Sequence, residues 1–182
     1  MSGTPGSKFT IRRAVPGDYD TLGRMTVRVY ERLPDMPGPD EQPEYYAMLA
    51  DVASRAAVPG IEILVAAGPD NTVLGGVTLV GDMGGYNAGE SAHRCRECAG
   101  IRLLAVAPAQ QRCGIGKALT LACIRRAGEL GRAGVVLHTT KSMMAAWQMY
   151  TGMGFTRAPE LDFSQGRLPV YGFRLDLTGP EK

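Results

Sequence analysis

Residues 101–130 read IRLLAVAPAQQRCGIGKALTLACIRRAGEL, and they combine an apolar run with a glycine-rich segment. The apolar run 103–107 predicts a buried strand, which ends at Pro108 because proline lacks a backbone donor. The glycine-rich segment 111–117 follows, and after it comes a helix-compatible segment that Gly131 can close. The stretch therefore predicts a strand, a tight loop and a helix in immediate succession.

The loop of this stretch has the chemistry of an anion site. Amides at the start of a helix have no helical acceptor and add to the positive end of the helix dipole. Gly114 and Gly116 lack a Cβ, so backbone there can curl around a phosphate, and Arg112 and Lys117 add two cations. Ala118 stands where a Walker A loop needs Ser or Thr, and the third glycine of the dinucleotide fingerprint is missing.

Two motifs together resemble the GNAT acyltransferase superfamily. LLAVAPAQQRCGIGKAL, residues 103–119, is similar to that family's motif A. AWQMYTGMGF, residues 146–155, is similar to its A-x-x-x-Y-x-x-x-G-F segment. The motifs are independent and stand in the family's order, and the resemblance covers most of the chain.

The predicted fold is α/β, and the resemblance supplies its topology. A mixed central sheet of about seven strands is expected, with about four helices. The two parallel central strands, residues 101–107 and 135–139, are expected to splay apart and admit the pantetheine arm of a cofactor. Other elements follow from periodicity and turn signals: strands at 9–15, 61–67, 72–80 and 170–177, a helix capped by Asp18, a helix from Pro43 to a stop at Pro59, and a helix capped by Ser142.

The resemblance implies that acetyl-CoA is the acyl donor, and the motifs assign its contacts. The strand before the loop would act through its backbone, the loop through its amides, and the last helix through its first turns. The cofactor-binding residues expected on this basis are Leu104, Ala105, Val106, Gln111, Arg112, Cys113, Gly114, Ile115, Gly116, Lys117, Ala118, Met143, Ala146 and Tyr150. Position 143 departs from the family, which often has an asparagine there that contacts the cofactor.

Acyl transfer to an amine needs a proton donor for the leaving sulfur and a path for the proton of the amine. Tyr150 matches the family tyrosine and is the candidate acid, with a core aromatic as the alternative. The family's usual glutamate position is Gly100, so the base is open. Glu97 is the nearest carboxylate and Glu90 the next, and either could act as the base through a water molecule. Alternatively, the amine loses its proton to solvent, and both glutamates are solvated loop residues.

Two other features carry weaker signals. His138 lies in a predicted strand and could move a proton near the acceptor, or be a satisfied strand histidine. Residues 93–98 contain the pattern H-x-C-x-x-C, but a structural zinc site usually needs a fourth ligand, and Cys113 and Cys123 are far off in sequence. We therefore expect no metal, and a flexible loop with incidental thiols.

Length and composition bound the remaining choices. The 182 residues predict a single domain over 9–177, with a disordered tail 1–8 and a second tail 178–182. A net charge of +2 with no basic stripe gives no sign of nucleic-acid binding. The chain has no apolar run of the ~20 residues that span a bilayer and no signal-peptide pattern, so we expect no membrane partner, a cytoplasmic location and reduced cysteines.

These patterns predict an N-acetyltransferase that moves an acetyl group from acetyl-CoA to a small-molecule or peptidyl amine. The alternatives are a non-catalytic acyl-CoA-binding sensor, and an acyltransferase with a larger acyl group or a hydroxyl acceptor; a homodimer also stays open. The acceptor side is expected near the segment 33–46. Its acidic residues could attract a cationic amine and its tyrosines could offer ring faces, although a solvated loop is an equal alternative: Asp35, Asp40, Glu41, Glu44, Tyr45 and Tyr46.

Overall fold

The computed structural model describes residues 9–83 and 95–177, and these form one mixed sheet with helices on both faces. The sheet contains eight strands: β1 (Thr10–Arg13), β2 (Ile61–Ala67), β3 (Val73–Val80), β4 (Cys98–Val106), β5 (Gly134–Thr139), β6 (Thr156–Arg157), β7 (Phe163–Gln165) and β8 (Leu168–Asp176). The α-helices are α1 (Pro16–Glu31), α2 (Pro43–Ala50), α3 (Val52–Ala56), α4 (Ile115–Glu129) and α5 (Met144–Gly152). The expectations for the two tails, for Glu90 and for His93 lie outside the described residues.

The strand order is β1-β2-β3-β4-β5-β8-β6, with β7 added to β8 as a hairpin. Neighbouring strands are antiparallel except β4 and β5, which run parallel. The α/β fold with a parallel central pair is thus confirmed. None of the helices in the two described segments is both long and apolar enough to cross a membrane.

Alternation along β2 shows how the two faces are covered. Leu64 and Ala66 pack into the core beneath α4 and α5, whereas Ile63 and Val65 pack into the core beneath α1 and α3. Side chains point to opposite faces along a strand, so the run IEILVAA serves both layers. A central strand buried on both faces reads as continuously apolar.

Two element predictions needed correction. The second predicted helix divides at Asp51, whose backbone is not helical and whose carboxylate accepts from the Ser54 amide at 2.9 Å. Ser142 does not cap α5, because its hydroxyl bonds to the Thr140 hydroxyl at 2.8 Å and the helix begins at Met144. The polar contacts of each side chain, and not its type, decided where these helices begin and end.

The start of α1 also differs from the prediction. The helix begins at Pro16, so Asp18 lies inside its first turn and not at its cap. Its carboxylate accepts from the Val15 amide at 2.8 Å and from the Arg12 guanidinium at 2.6 Å. The hydrogen bonds from Arg12 lower the pKa of Asp18 below its usual range.

Candidate active site

The central strands part as expected of the family fold. β4 and β5 pair from Cys98↔Gly134 to Ile101↔Leu137. Beyond Ile101, β4 continues to Val106. Among the described residues, this part of β4 pairs with β3 and not with β5. The edge of β4 that faces β5 is therefore left with backbone groups that another extended chain can pair with.

A β-bulge lies where β4 leaves β5. Gly76 pairs with Ala105 and Thr78 with Arg102, so β4 uses one residue more than β3 over this interval. Leu103 sits in the bulge with φ of 54°, an uncommon conformation for a leucine. Because bulges bend a strand and re-aim it, this one accompanies the opening of the gap.

The loop before α4 turns twice through left-handed backbone. Arg112 has φ of 63° and Gly114 has φ of 82°, and Gly114 is the N-cap of α4. The first helical bond runs from the Ala118 amide to the Gly114 carbonyl at 3.0 Å. The amides of residues 115–117 precede that bond and have no helical acceptor, so they face outward as donors.

A cavity of about 520 Å³, which we call the gap cavity, opens between this loop and the start of α5. Ten of the predicted cofactor-binding residues line it: Leu104, Val106, Gln111, Arg112, Gly114, Ile115, Gly116, Lys117, Met143 and Ala146. A Cβ built on Gly116 would contact the Met149 sulfur at 3.6 Å and the Leu104 side chain at 3.8 Å. Gly116 thus widens the cavity at the point where β4, α4 and α5 meet.

Four predicted residues do not line the gap cavity. Ala105 is buried in β4, Cys113 is exposed in the loop, and Ala118 lies further along α4. Conversely, Val29 near the end of α1 and Leu33 just after it line the cavity and were not predicted. Their apolar spacing is the one expected of a helix that packs on the core. The sequence pattern therefore could not distinguish residues that line a cavity from residues that pack in the core.

Tyr150, the fourth, is 4% exposed and lies one turn beyond Ala146 on α5. Its ring packs edge-on against Phe155, with centroids 5.7 Å apart. Burial raises the pKa of Tyr30 well above its ordinary value, and the phenols of Tyr45 and Tyr150 raise it further, so the three phenols form a cluster. Tyr150 is therefore a core aromatic whose phenol interacts with the phenol of Tyr30.

Arg102 is the cation of this cluster and was not singled out by the sequence. It is the first β4 residue beyond the paired segment. Burial raises the pKa of Tyr30 and of Tyr45, that of Tyr45 to about 12. The positive charge of Arg102 opposes both increases. Positive potential therefore reaches the point where the strands part.

The structure does not bring Glu97 to the gap. Its carbonyl accepts from the Ala133 amide at 2.9 Å, and its carboxylate accepts from Arg174 at 3.4 Å. Both contacts are at the start of β4, where β4 and β5 are paired, and this point is roughly 16 Å along the strand from Arg102. Gly100, the usual glutamate position, pairs with Val136 inside the closed segment.

His138 has a structural partner. Its Nε2 lies 2.8 Å from the Leu161 carbonyl, and its ring packs edge-on against Phe163. Burial lowers the pKa of His138, and the nearby Arg102 lowers it further. The contacts are those of a satisfied strand histidine.

The expectation of incidental thiols is wrong for two of the cysteines. Cys95 and Cys98 are buried and joined in a disulfide, and Arg174 donates to the Cys95 sulfur at 3.0 Å. Cys95, Glu97 and Cys98 form the cluster of metal-ligand type in the described residues. Cys123 is buried, which raises its pKa to about 12.

A second cavity, which we call the charged cavity, has a volume of about 510 Å³ and shares Ser142 with the gap cavity. It lies between the α1–α2 loop, the β5–α5 junction and the β7–β8 hairpin. Its lining residues are Asp35, Met36, Pro37, Glu41, Lys141, Ser142, Arg167, Leu168, Pro169 and Tyr171. Of the predicted acidic residues, Asp35 and Glu41 line this cavity. Two basic residues, Lys141 and Arg167, line it as well.

The other members of the predicted acceptor segment take no part in either cavity. Asp40 and Glu44 are exposed outside both linings. Tyr46 is buried and donates from its hydroxyl to the Pro37 carbonyl at 3.0 Å, and Tyr45 packs beside it. Neither ring lines the gap cavity or the charged cavity, so a role for Tyr45 and Tyr46 in acceptor binding stays a prediction.

Comparison with known proteins shows the family of the chain. The model described as the Acetyltransferase (GNAT) family matches residues 27–155. The chain therefore belongs to the GNAT acetyltransferase family. No curated protein sequence matches the chain with significance.

Solved structures show the same fold at low identity. A GNAT-family acetyltransferase from Staphylococcus aureus Mu50 aligns with TM-score 0.71 at 16% identity, over 93% of this chain and 99% of its own. The putative acetyltransferase yncA from Salmonella typhimurium, solved with its cofactor acetyl-CoA, gives 0.64 at 19%, over 97% and 98%. The PaiA N-acetyltransferase from Thermoplasma acidophilum, in complex with coenzyme A, gives 0.67 at 16%, over 91% and 98%.

Proposed function

We propose that the protein is an N-acetyltransferase that moves an acetyl group from acetyl-CoA to a primary amine of a small-molecule or peptidyl acceptor, by direct attack in a ternary complex. The observation that carries the proposal is the gap cavity, where two parallel strands part beside a helix N-terminus with unused amides. Related structures that contain acetyl-CoA or coenzyme A support it.

The residues of the gap cavity fit acetyl-CoA. The amides of residues 115–117 and the exposed cations Arg112 and Lys117 suit a pyrophosphate. Leu104 and Val106 line the route along β4 that suits an extended pantetheine arm. When bound, acetyl-CoA supplies the activated thioester, and the chain supplies position and protons.

Proton movement is assigned to Tyr150 and to solvent. A phenol stays protonated at neutral pH and can donate to a leaving thiolate. Tyr150 lies on the helix whose first turns line the gap cavity, beside the cluster of Tyr30 and Arg102. With Gly100 at the usual glutamate position and Glu97 at the closed end of the sheet, the amine loses its proton to water.

The vacant carboxylate position favours a second candidate, a non-catalytic sensor that binds acyl-CoA. Release of free thiol from acetyl-CoA in the presence of a panel of primary amines separates the two functions. The enzyme predicts thiol release that depends on the amine, together with thermal protection by CoA. Protection without turnover would leave the sensor, and an unchanged melting temperature at saturating CoA would overturn both.

The acyl group is tested in the same assay. Acetyl-CoA is compared with propionyl-CoA, butyryl-CoA and octanoyl-CoA at equal concentration, and alcohols are offered beside amines. The proposal predicts the highest kcat/KM for acetyl-CoA and an amine. A preference for octanoyl-CoA or for an alcohol would identify a different acyltransferase.

A further inference from the structure

The charged cavity presents both signs of charge to one space. Asp35 and Glu41 come from the α1–α2 loop, Lys141 from the β5–α5 junction and Arg167 from the β7–β8 hairpin. All four are exposed residues. Since acids and bases stand on different chain segments, the fold and not local sequence brings them together.

These four charged side chains form no ion pair with one another. No ion pair within residues 9–83 and 95–177 includes Asp35, Glu41, Lys141 or Arg167. By contrast, the arginines of a cavity between β1 and α4, such as Arg13 and Arg126, pair with Glu62 there. Unpaired charges of both signs in one cavity are suited to a ligand that carries both signs.

Contacts inside the protein hold the walls of this cavity in place. Gln165 of β7 donates to Gln42 of the α1–α2 loop at 2.8 Å, which ties the two walls together. The Gly38 amide donates to the Glu41 carboxylate at 3.2 Å and orients it. The Lys141 ammonium lies 5.7 Å from the centre of the Tyr171 ring, a cation–π contact.

The cavity also adjoins the place where the thioester would lie. Both cavities are lined by Ser142, and Met143 on the next position lines the gap cavity. On the opposite wall Leu33 lines the gap cavity and Asp35 lines the charged one. The charged cavity and the gap cavity are therefore neighbours on both of these walls.

We propose that the charged cavity binds the acceptor and that the acceptor is an amino acid, an inference that rests on the proposed acetyl transfer. The carboxylate of the acceptor pairs with Lys141 and Arg167, and its amine end is drawn by Asp35 and Glu41. The amine, as an ammonium ion, gives one proton to water. Its nitrogen then bonds to the acetyl carbon, the carbon–sulfur bond breaks, and the nitrogen loses its second proton to water. The thiolate gains a proton from Tyr150, and the Tyr150 phenolate takes one back from water.

Other acceptors fit the cavity less well. A polyamine would meet repulsion from Lys141 and Arg167, and an amine without a carboxylate would leave both cations unused. A dicarboxylate without an amine would meet Asp35 and Glu41. Only a ligand with both groups satisfies both walls.

The test compares amino acids with their carboxamides, which keep the amine and lose the negative charge. Glycine, L-alanine, L-glutamate, L-methionine and L-phenylalanine are each paired with the amide, and spermidine is included as a polyamine. Thiol release from acetyl-CoA should show kcat/KM for the best amino acid roughly ten- to hundredfold above that for its amide, as expected for a charge-assisted pair. Equal values for acid and amide, or a preference for spermidine, would overturn the inference while leaving N-acetyl transfer intact.

Variants identify the residues responsible. Arg167→Gln should raise KM for the amino acid roughly tenfold or more, and leave KM for acetyl-CoA and kcat/KM for the amide near wild type. Arg125→Gln removes an equally exposed arginine on α4, outside both of these cavities, and should change nothing. Asp35→Asn with Glu41→Gln should also raise KM for the amino acid, whereas Asp20→Asn, an exposed acid on α1, should not.

The outcomes separate this inference from the proposed function. No thiol release with any amine would contradict the proposed function itself. Thiol release with unchanged KM in Arg167→Gln and Lys141→Gln, measured on protein whose melting temperature is that of wild type, would place the acceptor elsewhere.

Discussion

The gap cavity and the charged cavity share Ser142, yet they are built in different ways. Most of the gap cavity comes from residues 104–117 and 142–149, two short stretches whose backbone does much of the work. The charged cavity combines side chains from residues 35–41, 141–142 and 167–171. A backbone site in contiguous sequence leaves a motif, whereas a side-chain site assembled from distant loops leaves none. The loop of the gap cavity could therefore be predicted from sequence, whereas only the acidic residues Asp35 and Glu41 of the charged cavity were.

The largest expected effect is a loss of activity on removal of the Tyr150 phenol, which tests whether this core residue also acts in catalysis. Tyr150→Phe removes one proton donor and keeps the ring that packs on Phe155. If the phenol protonates the thiolate, kcat should fall ~10²–10⁴-fold while thermal protection by CoA stays unchanged. Steady-state thiol release and a melting curve with CoA measure the two effects. Tyr19→Phe, on α1 and away from both cavities, is the matched control. A wild-type kcat in Tyr150→Phe would make Tyr150 a core aromatic alone.

The next effect tests the backbone character of the gap cavity. Gly116→Val adds a side chain whose Cβ makes only ordinary contacts, from 3.6 to 3.9 Å, so the fold should tolerate it. Its branches would enter the space that the cofactor needs. At a CoA concentration 100 times Kd the wild type should gain about 2.7 kcal/mol of stability, and the variant should gain close to none.

Two comparisons sharpen that experiment. Gly128→Val lies on the same helix, where a Cβ meets nothing within 4 Å, and it should keep the full protection by CoA. Gly114→Val is a less specific variant, because φ of 82° strains any side chain there. Full protection in Gly116→Val would mean that the cofactor does not pass this glycine.

Sequence predicted the central elements well because their signals are local. The strand, loop and helix around residues 103–119 each have their own pattern, and their order carries the family resemblance. The break at Asp51 and the hairpin at Gly166 were missed. Asp51 ends one helix and caps the next, a choice that depends on how α2 and α3 pack, and the three-residue strand β7 exists only through its pairing with β8.

The site was predictable to the extent that it is made of backbone. Gly114 and Gly116 stand between a strand and a helix that are adjacent in sequence, so the phosphate loop could be predicted from one contiguous stretch. Arg167 has no neighbouring motif, and its value depends on the fold placing it opposite Asp35. Arg102 and Tyr30 likewise act through a cluster that only tertiary structure assembles.

A smaller effect separates fold stability from both cavities. Asp18→Asn weakens the pair with Arg12 and the bond from the Val15 amide, at a cost of about 1–3 kcal/mol in the free energy of unfolding. Since the pKa of Asp18 is lowered in the folded protein, its contribution is present above the unfolded pKa of ~3.9 and is lost as pH falls through the folded value. Denaturant unfolding at pH 7 and pH 3 should show the difference between wild type and variant shrinking at the lower pH.

The exposed pair of Asp20 and Arg24 supplies the control. Asp20→Asn should change stability by no more than about 0.5 kcal/mol. Both variants should keep protection by CoA, since neither residue lines a cavity. An equal loss in the two variants would mean that burial of Asp18 adds nothing to its ion pair.

The smallest effect tests the one departure from the family inside the gap cavity. Met143 lines that cavity, and its thioether is only a weak acceptor. Met143→Asn introduces an amide that can donate to a polar group of the pantetheine arm, and a net gain of about 0.5–1.5 kcal/mol would lower KM for acetyl-CoA by roughly two- to tenfold. Met143→Leu keeps an apolar side chain of similar volume and should leave KM unchanged, so a gain with Asn alone would identify the hydrogen bond. If Met143→Asn instead raises KM for acetyl-CoA, no polar group of the cofactor lies within reach of position 143, and Met143 serves the cofactor through apolar contact alone.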